Sequence, residues 1–157
     1  MATTSACCPV PTTTCLAPTP KTTTLRFATC TSRNNVRVTA IDHVQVAFPP
    51  ELEAAMVDFY EDTLGLKRLA KPGGTDDPRG AWFDAGNVQL HLGAQPHAFV
   101  PARKAHVGFV VDELAAIAAA LEAAGLPVKA GSDLPGFRRI FSEDPAGNRL
   151  EFLQRAP

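Results

Sequence analysis

The chain has 157 residues, of which 45% are hydrophobic and 20% charged, with a formal net charge of −1 at pH 7. That balance is globular, and the length holds one domain with a full core, so neither a wholly disordered chain nor a disulfide scaffold is indicated. No window reaches the ~18 apolar residues of a membrane span, which argues against a membrane protein.

The composition is uneven. Residues 1–38 hold two threonine triplets (Thr12 to Thr14 and Thr22 to Thr24), the prolines Pro9, Pro11, Pro18 and Pro20, and the bases Lys21, Arg26, Arg33 and Arg37, whereas the first acid is Asp42. Such a segment cannot bury enough apolar surface to order itself and reads as a disordered transit peptide. The prolines would break the amphipathic helix of a mitochondrial address, so the plastid stroma is the expected destination and the mitochondrion the alternative. All four cysteines (Cys7, Cys8, Cys15, Cys30) lie here, so the remaining domain has no thiol for a disulfide or for catalysis. Without the leader the domain carries a net charge of roughly −5, which disfavours a nucleic-acid partner.

The first half-module opens with a predicted strand, Ile41 to Phe48, whose alternation puts Val44, Val46 and Phe48 on one face and His43, Gln45 and Ala47 on the other. Pro49-Pro50 ends it. Leu52, Met56, Phe59, Tyr60 and Leu64 recur at helical spacing within Glu51 to Leu64, and Gly65 is placed to stop that helix. A strand over Leu66 to Ala70, a loop to Arg79, and a hairpin of Ala81 to Asp84 and Val88 to Leu92 follow, turning at Ala85-Gly86-Asn87.

The second half-module repeats the plan. Ala105 to Val111 is a strand, Asp112 a helix N-cap, and Glu113 to Ala124 a helix whose buried stripe is Leu114, Ile117, Ala118 and Leu121. Gly125 closes it, Pro127 to Ala130 is a short strand, and Arg138 to Ser142 and Arg149 to Leu153 pair across a turn at 143–148. The predicted fold is α+β: two βαβββ half-modules, 41–95 and 104–154, within a domain of 39–155, forming a cupped mixed sheet around a concave site.

His43 and His106 hold matching positions in the two opening strands. Strand alternation places Gln89 and His91 on the concave face of the first half, and Arg149, Glu151 and Leu153 on that of the second. Imidazoles and a carboxylate converging from several strands are what a divalent-metal site needs, so His43, His106 and Glu151 are the candidate ligands, with Gln89 or His91 as the fourth. Gln89 and His91 share a face; the half-to-half alignment that matches Gln89 with Glu151 is the better one. A lone histidine at a strand end is ordinarily structural. Two at symmetry-related positions, together with a carboxylate, favour ligation.

Arg138 and Arg139 begin a strand bordering the cavity, and alternation sends one of them inward to meet an anionic substrate. Trp82 and Phe83 alternate likewise, Trp82 being the candidate pocket wall. Arg103 and Lys104 read as linker surface charges, and His97 as surface.

The strings Ile41-Asp42-His43-Val44, Phe59-Tyr60-Glu61-Asp62-Thr63-Leu64-Gly65-Leu66, Ala105-His106-Val107-Gly108-Phe109 and Asp144-Pro145-Ala146-Gly147-Asn148-Arg149-Leu150-Glu151-Phe152 resemble the vicinal oxygen chelate superfamily, which includes glyoxalase I, bleomycin-resistance proteins and extradiol dioxygenases. The resemblance implies ligands from the first and last strands of each half, and a divalent ion (Zn, Ni, Co, Mn or Fe) that chelates a small substrate through adjacent oxygens. It further implies a glyoxalase-like lyase or isomerase, with Glu151 also shuttling a proton, in a homodimer. Leu92-Gly93-Ala94-Gln95-Pro96-His97 stands where glyoxalase I has an aromatic, Asn-Trp-containing stretch, which departs from glutathione-hemithioacetal specificity. Two other readings stand beside it: an Fe(II)-dependent dioxygenase using the same ligands, and a metal-free binding protein of bleomycin-resistance type.

Overall fold

The computed structural model describes residues 37–74 and 78–157. The transit-peptide reading of residues 1–38 falls almost wholly outside the described residues. Val38–Pro157 form one compact unit.

β1 (His43–Phe48) is followed by a helical stretch in three pieces: a 3₁₀ turn (Pro50–Leu52), α1 (Glu53–Asp58) and a π turn (Phe59–Thr63). The predicted single helix widens at its end because Phe59 and Tyr60, adjacent in sequence, are both buried, and a π turn gives each a place on the inner face. Gly65 ends the helix at φ 68°, a left-handed conformation that glycine adopts without penalty. β2 (Lys67–Leu69), β3 (Trp82–Asp84) and β4 (Gln89–Ala94) complete the first module. The second consists of β5 (Val107–Val110), α2 (Leu114–Ala123), β6 (Lys129–Ala130), β7 (Phe137–Glu143) and β8 (Arg149–Arg155).

The two sheets share one plan. The first runs β1-β4-β3-β2 and the second β5-β8-β7-β6; in each the opening strand pairs in parallel with the last strand while the hairpins are antiparallel. The α+β architecture of two βαβββ modules is therefore as predicted, with the two sheets separate in the single chain. β1 and β5 each stand at an edge of their sheet, with one side unpaired within it.

Helix-facing residues of both modules pack into one apolar cluster that includes Phe48, Met56, Tyr60, Phe83, Leu90, Leu121, Leu150 and Phe152. Burying side chains of this size contributes about 1.5–3 kcal/mol each, so this layer is the main source of stability.

Polar ties across the modules are few and specific. Asp144, only 2% exposed, accepts the Tyr60 hydroxyl at 3.1 Å and the Asn148 side-chain amide at 2.9 Å, and its second oxygen accepts the backbone N–H groups of Ala146 and Asn148. Asn148 also donates to the Ala47 carbonyl at 2.9 Å. Burial pushes the Asp144 carboxyl above its ordinary value, although its four hydrogen bonds pull the other way. Burial, and then the Asp144 carboxylate beside it, push the Tyr60 hydroxyl well above its ordinary value and hold it un-ionised.

Several boundaries differ from the predicted ones. β5 starts at Val107, so His106 stands just ahead of the strand. The α2 cap is Glu113, whose carboxylate accepts the Ala115 N–H at 3.3 Å, where the sequence pointed to Asp112. The Glu113 side chain reaches forward to the N–H two residues on, and the Asp112 backbone carbonyl accepts the Gln154 amide at 2.7 Å.

Candidate metal centre

The register of the parallel pairs decides which residues are equivalent. Val44 stands opposite Leu90 and Gln45 opposite His91 in the first sheet; Val107 stands opposite Leu150 and Gly108 opposite Glu151 in the second. With His43 matched to His106, the partner of Glu151 is His91. The hairpins agree, since Trp82 is paired with His91 and Phe141 with Glu151. This corrects the alignment that matched Gln89 with Glu151. Alternation reports only the face of a strand, and Gln89 and His91 share one; the two-residue offset between them is a matter of ladder register.

In the first module His91 lies between two parallel rings. Trp82 stacks on it at 3.9 Å with a 4° interplanar angle, and His43 stacks on the other side at 4.3 Å and 12°. Trp82 thus shares a sheet face with His91, while Phe83 enters the core near Tyr60. The His91 Nε2 bonds Gln89 Oε1 at 3.0 Å, which places Gln89 as the residue that orients His91. Burial, then the nearby His43, keep the His91 imidazole below its ordinary pKa, outweighing Asp42, so it is neutral near pH 7. His43 Nδ1 meets Asp42 Oδ1 at 2.8 Å. An imidazole that gives one nitrogen to a carboxylate presents the other as a ligand.

The second module holds a tighter cluster. His106 Nδ1 lies 2.8 Å from the Lys104 carbonyl, and Nε2 lies 2.9 Å from Glu151 Oε2. Both imidazole nitrogens therefore face oxygen acceptors. The contact between Nε2 and Oε2 is a hydrogen bond, so the imidazole ties the carboxylate to the start of β5. Imidazole and carboxylate are donor types that divalent ions accept, and among the described residues these two meet here without a third His, Cys, Asp or Glu. Glu151 Oε1 accepts Arg139 Nη1 at 2.8 Å. Burial raises the Glu151 carboxyl, but the hydrogen bonds and charges of Arg139 and His106 outweigh it and hold the group ionised, below its usual range.

The arginine pair divides as alternation predicts, with a different outcome for each member. Arg139 faces inward, yet its guanidinium is engaged by Glu151 and by the Ser132 carbonyl at 2.6 Å. Arg138 is exposed and bonds Gln154 Oε1 at 3.3 Å; that oxygen also receives the Leu114 N–H at the start of α2. Arg138 is therefore on the helix side, away from the candidate site. Each guanidinium thus has an acceptor within the chain.

A cavity of about 560 Å³ lies beside this cluster, lined among others by Val100, Pro101, Arg103, Lys129, Phe141 and Arg149. Arg149 lies over the Phe141 ring at 4.1 Å from its centre, and that ring meets His106 edge-on at 6.0 Å. Arg103, read from sequence as a linker charge, is thus a cavity residue, because the 100–103 linker packs along the β7–β8 hairpin, with Pro101 against Gly147. Sequence proximity alone carries no signal of that placement.

Each module brings its own candidates together: His43, His91 and Gln89 in one, His106 and Glu151 in the other. The two sets do not merge in one chain; among the described residues no three His, Cys, Asp or Glu side chains form a group able to hold a metal ion. Among the described residues, too, no helix is long and apolar enough to cross a membrane.

The comparisons with known proteins accord with this arrangement. A protein from Bacillus anthracis assigned to the glyoxalase family is 34% identical, with a TM-score of 0.69, over 77% of this chain and 98% of that one. TnmS3, an antibiotic-binding protein from Streptomyces sp. CB03234, shares the fold at 22% identity and a TM-score of 0.61, over 77% and 99%. Lactoylglutathione lyase from Agrobacterium tumefaciens does so at 23% and 0.55, over 74% and 94%. No match is found among curated proteins. The Glyoxalase/Bleomycin resistance protein/Dioxygenase superfamily model matches residues 40–152, and with the duplicated modules and their paired strand-end clusters this chain belongs to that superfamily.

Proposed function

We propose that the protein is a divalent-metal-dependent lyase or isomerase of glyoxalase-like type, whose small substrate presents two adjacent oxygens to the ion. The carrying observation is the register equivalence of His43 and His91 with His106 and Glu151, in two sheets whose opening strands both stand at an edge. The ligand set of this reading is His43, His91, His106 and Glu151, with Gln89 orienting His91.

Because the two pairs occupy separate sheets, the reading is a homodimer in which β1 of one copy lies beside β5 of another. An unpaired edge strand is a ready template for such pairing. His43 and His91 would then come from one copy, and His106 and Glu151 from the second.

When bound, the ion supplies Lewis acidity that polarises a substrate carbonyl. The chain's own groups supply the rest. Glu151, kept ionised by Arg139, is able to take up a proton. Arg103, Lys129 and Arg149, against the one acid Glu143, give the adjoining cavity a net positive lining suited to a substrate acid group.

Complementation tests the reading. A chain with His43→Ala and His91→Ala, and another with His106→Ala and Glu151→Gln, are each expected to lose Ni(II) or Zn(II) after dialysis. Co-refolded in equal amounts, they should recover about a quarter of the wild-type metal, since half the dimers are mixed and each holds one intact site. No recovery with normal dimerisation overturns the shared site, and a wild type that retains no metal, with an unchanged melting temperature on metal addition, overturns the metal enzyme.

A further inference from the structure

We propose that the cavity of about 560 Å³ beside the β7–β8 hairpin binds a small molecule with an apolar body and a doubly charged acid group, a phosphate monoester or a dicarboxylate, received by Arg149 together with Arg103 and Lys129. This names the substrate class of the cavity described above; it rests on reading that cavity as the substrate's, and it needs no metal ion.

Arg149 is the central cation. Its partner across the β7–β8 ladder is Glu143, a carboxylate placed to neutralise it, yet among the described residues no ion pair or hydrogen bond joins the two side chains. The guanidinium lies over the Phe141 ring, its Cζ 4.1 Å from the ring centre. At that distance the carbon centre of the group is in contact with the ring, and the N–H donors at its periphery remain for oxygen acceptors. Their fork matches two oxygens of a phosphate or carboxylate.

The other two cations reach the same cavity from separate elements. Lys129 stands opposite Phe141 in the β6–β7 ladder, and Arg103 follows Pro101, which packs against Gly147 at the hairpin turn. Neither has a hydrogen bond or ion pair among the described residues. Arg68, Arg138 and Arg139, by contrast, each meet an acceptor within the chain. Three cations against the one carboxylate of Glu143 leave an excess that a doubly charged group neutralises and a singly charged group does not. Val100, Pro101, Pro127 and the Phe141 ring supply apolar lining for the rest of the molecule, and the volume lies within the range of small-ligand sites.

Calorimetric titration of the full chain, with a chelator present to remove metal ions, tests this. Phenyl phosphate and phthalate are the doubly charged probes, and benzoate is a singly charged one with the same ring. At least one dianion is expected to bind, with benzoate at least about tenfold weaker and dianion affinity falling as salt is raised. Arg149→Met and Lys129→Met should each weaken dianion binding about tenfold. Phe141→Leu, which keeps every charge, should weaken it by less, and Lys67→Met, which removes an exposed cation of β2, should leave it unchanged. Absence of dianion binding, or benzoate binding equal to it, overturns the proposal. Equal losses in Arg149→Met and Lys67→Met do so too, because net charge then accounts for the effect. Should Arg149→Met not fold, wild-type dianion affinity in Lys129→Met overturns it. Dianion binding that appears only without the chelator overturns it and leaves the metal reading standing, whereas a wild type that retains no metal yet binds the dianion overturns the metal reading alone.

Discussion

Glu151 shows how one side chain acquires a role from its neighbours. Its position in an Asp-Pro-x-Gly-Asn-x-x-Glu string marks it in sequence, but its ionisation is set by Arg139 and His106. Glu151→Gln would remove a charge-assisted partner from Arg139 and leave the guanidinium less satisfied. Such a loss costs about 1–3 kcal/mol, which urea unfolding of the metal-free protein would read, and metal retention on dialysis should fall at least about tenfold. Asp144 behaves in the opposite sense. Its carboxyl is raised from an ordinary value of 3.8, so the folded state holds the proton more tightly than the unfolded chain does. The stability linked to this group is present below 3.8 and lost as pH rises through the elevated folded value. In urea unfolding between pH 3 and pH 7, wild type should lose stability relative to Asp144→Asn as pH rises; a difference that stays constant, or grows with pH, would contradict the assignment.

At the level of elements, close approaches of chain to chain decide where strands meet. Gly80 has φ 76°, donates its N–H to Glu53 Oε1 at 2.7 Å, and would place a Cβ 2.0 Å from the Leu92 carbonyl oxygen. No side chain fits there. Gly80→Ala is expected to destabilise the fold by more than about 2 kcal/mol, from backbone strain and displacement of β4, measurable as a lowered denaturant midpoint. The tie between the π turn and the β7–β8 hairpin is likewise local and testable. Tyr60→Phe removes the hydroxyl from the buried Asp144 carboxylate and should cost about 1.5–3 kcal/mol, since no shape change accompanies the loss. The helix that carries Tyr60 was legible from its apolar spacing; its π ending was not, because that turn answers to the simultaneous burial of Phe59 and Tyr60.

For the whole molecule, the central feature is an incomplete pairing. Two sheets of identical order each leave their opening strand at an edge, and β5 carries Val110 at 65% exposure. Charged side chains are a common protection of such edges against association. Val110→Glu is therefore expected to leave the monomer fold within about 0.5 kcal/mol of wild type, yet to abolish dimerisation and metal retention together. Size-exclusion chromatography with light scattering, followed by metal analysis, would show this; a variant that remains dimeric and metal-loaded removes β5 from the proposed interface.

Residue order by itself determined the duplication, the α+β modules and which side chains share a face of each last strand, because strand alternation, helical spacing and turn glycines are local properties. It also brought His43, His106 and Glu151 into view, since matching positions in two similar halves can be compared without coordinates. The equivalence of His91, and not Gln89, with Glu151 needed the tertiary structure: both lie on one face of β4, and only the ladder to β1 separates them. So did the fate of the arginines. Which guanidinium meets Glu151, which turns to α2, and which lines the cavity depends on cross-strand partners and on a linker folded back over a hairpin, and these contacts join residues far apart along the chain.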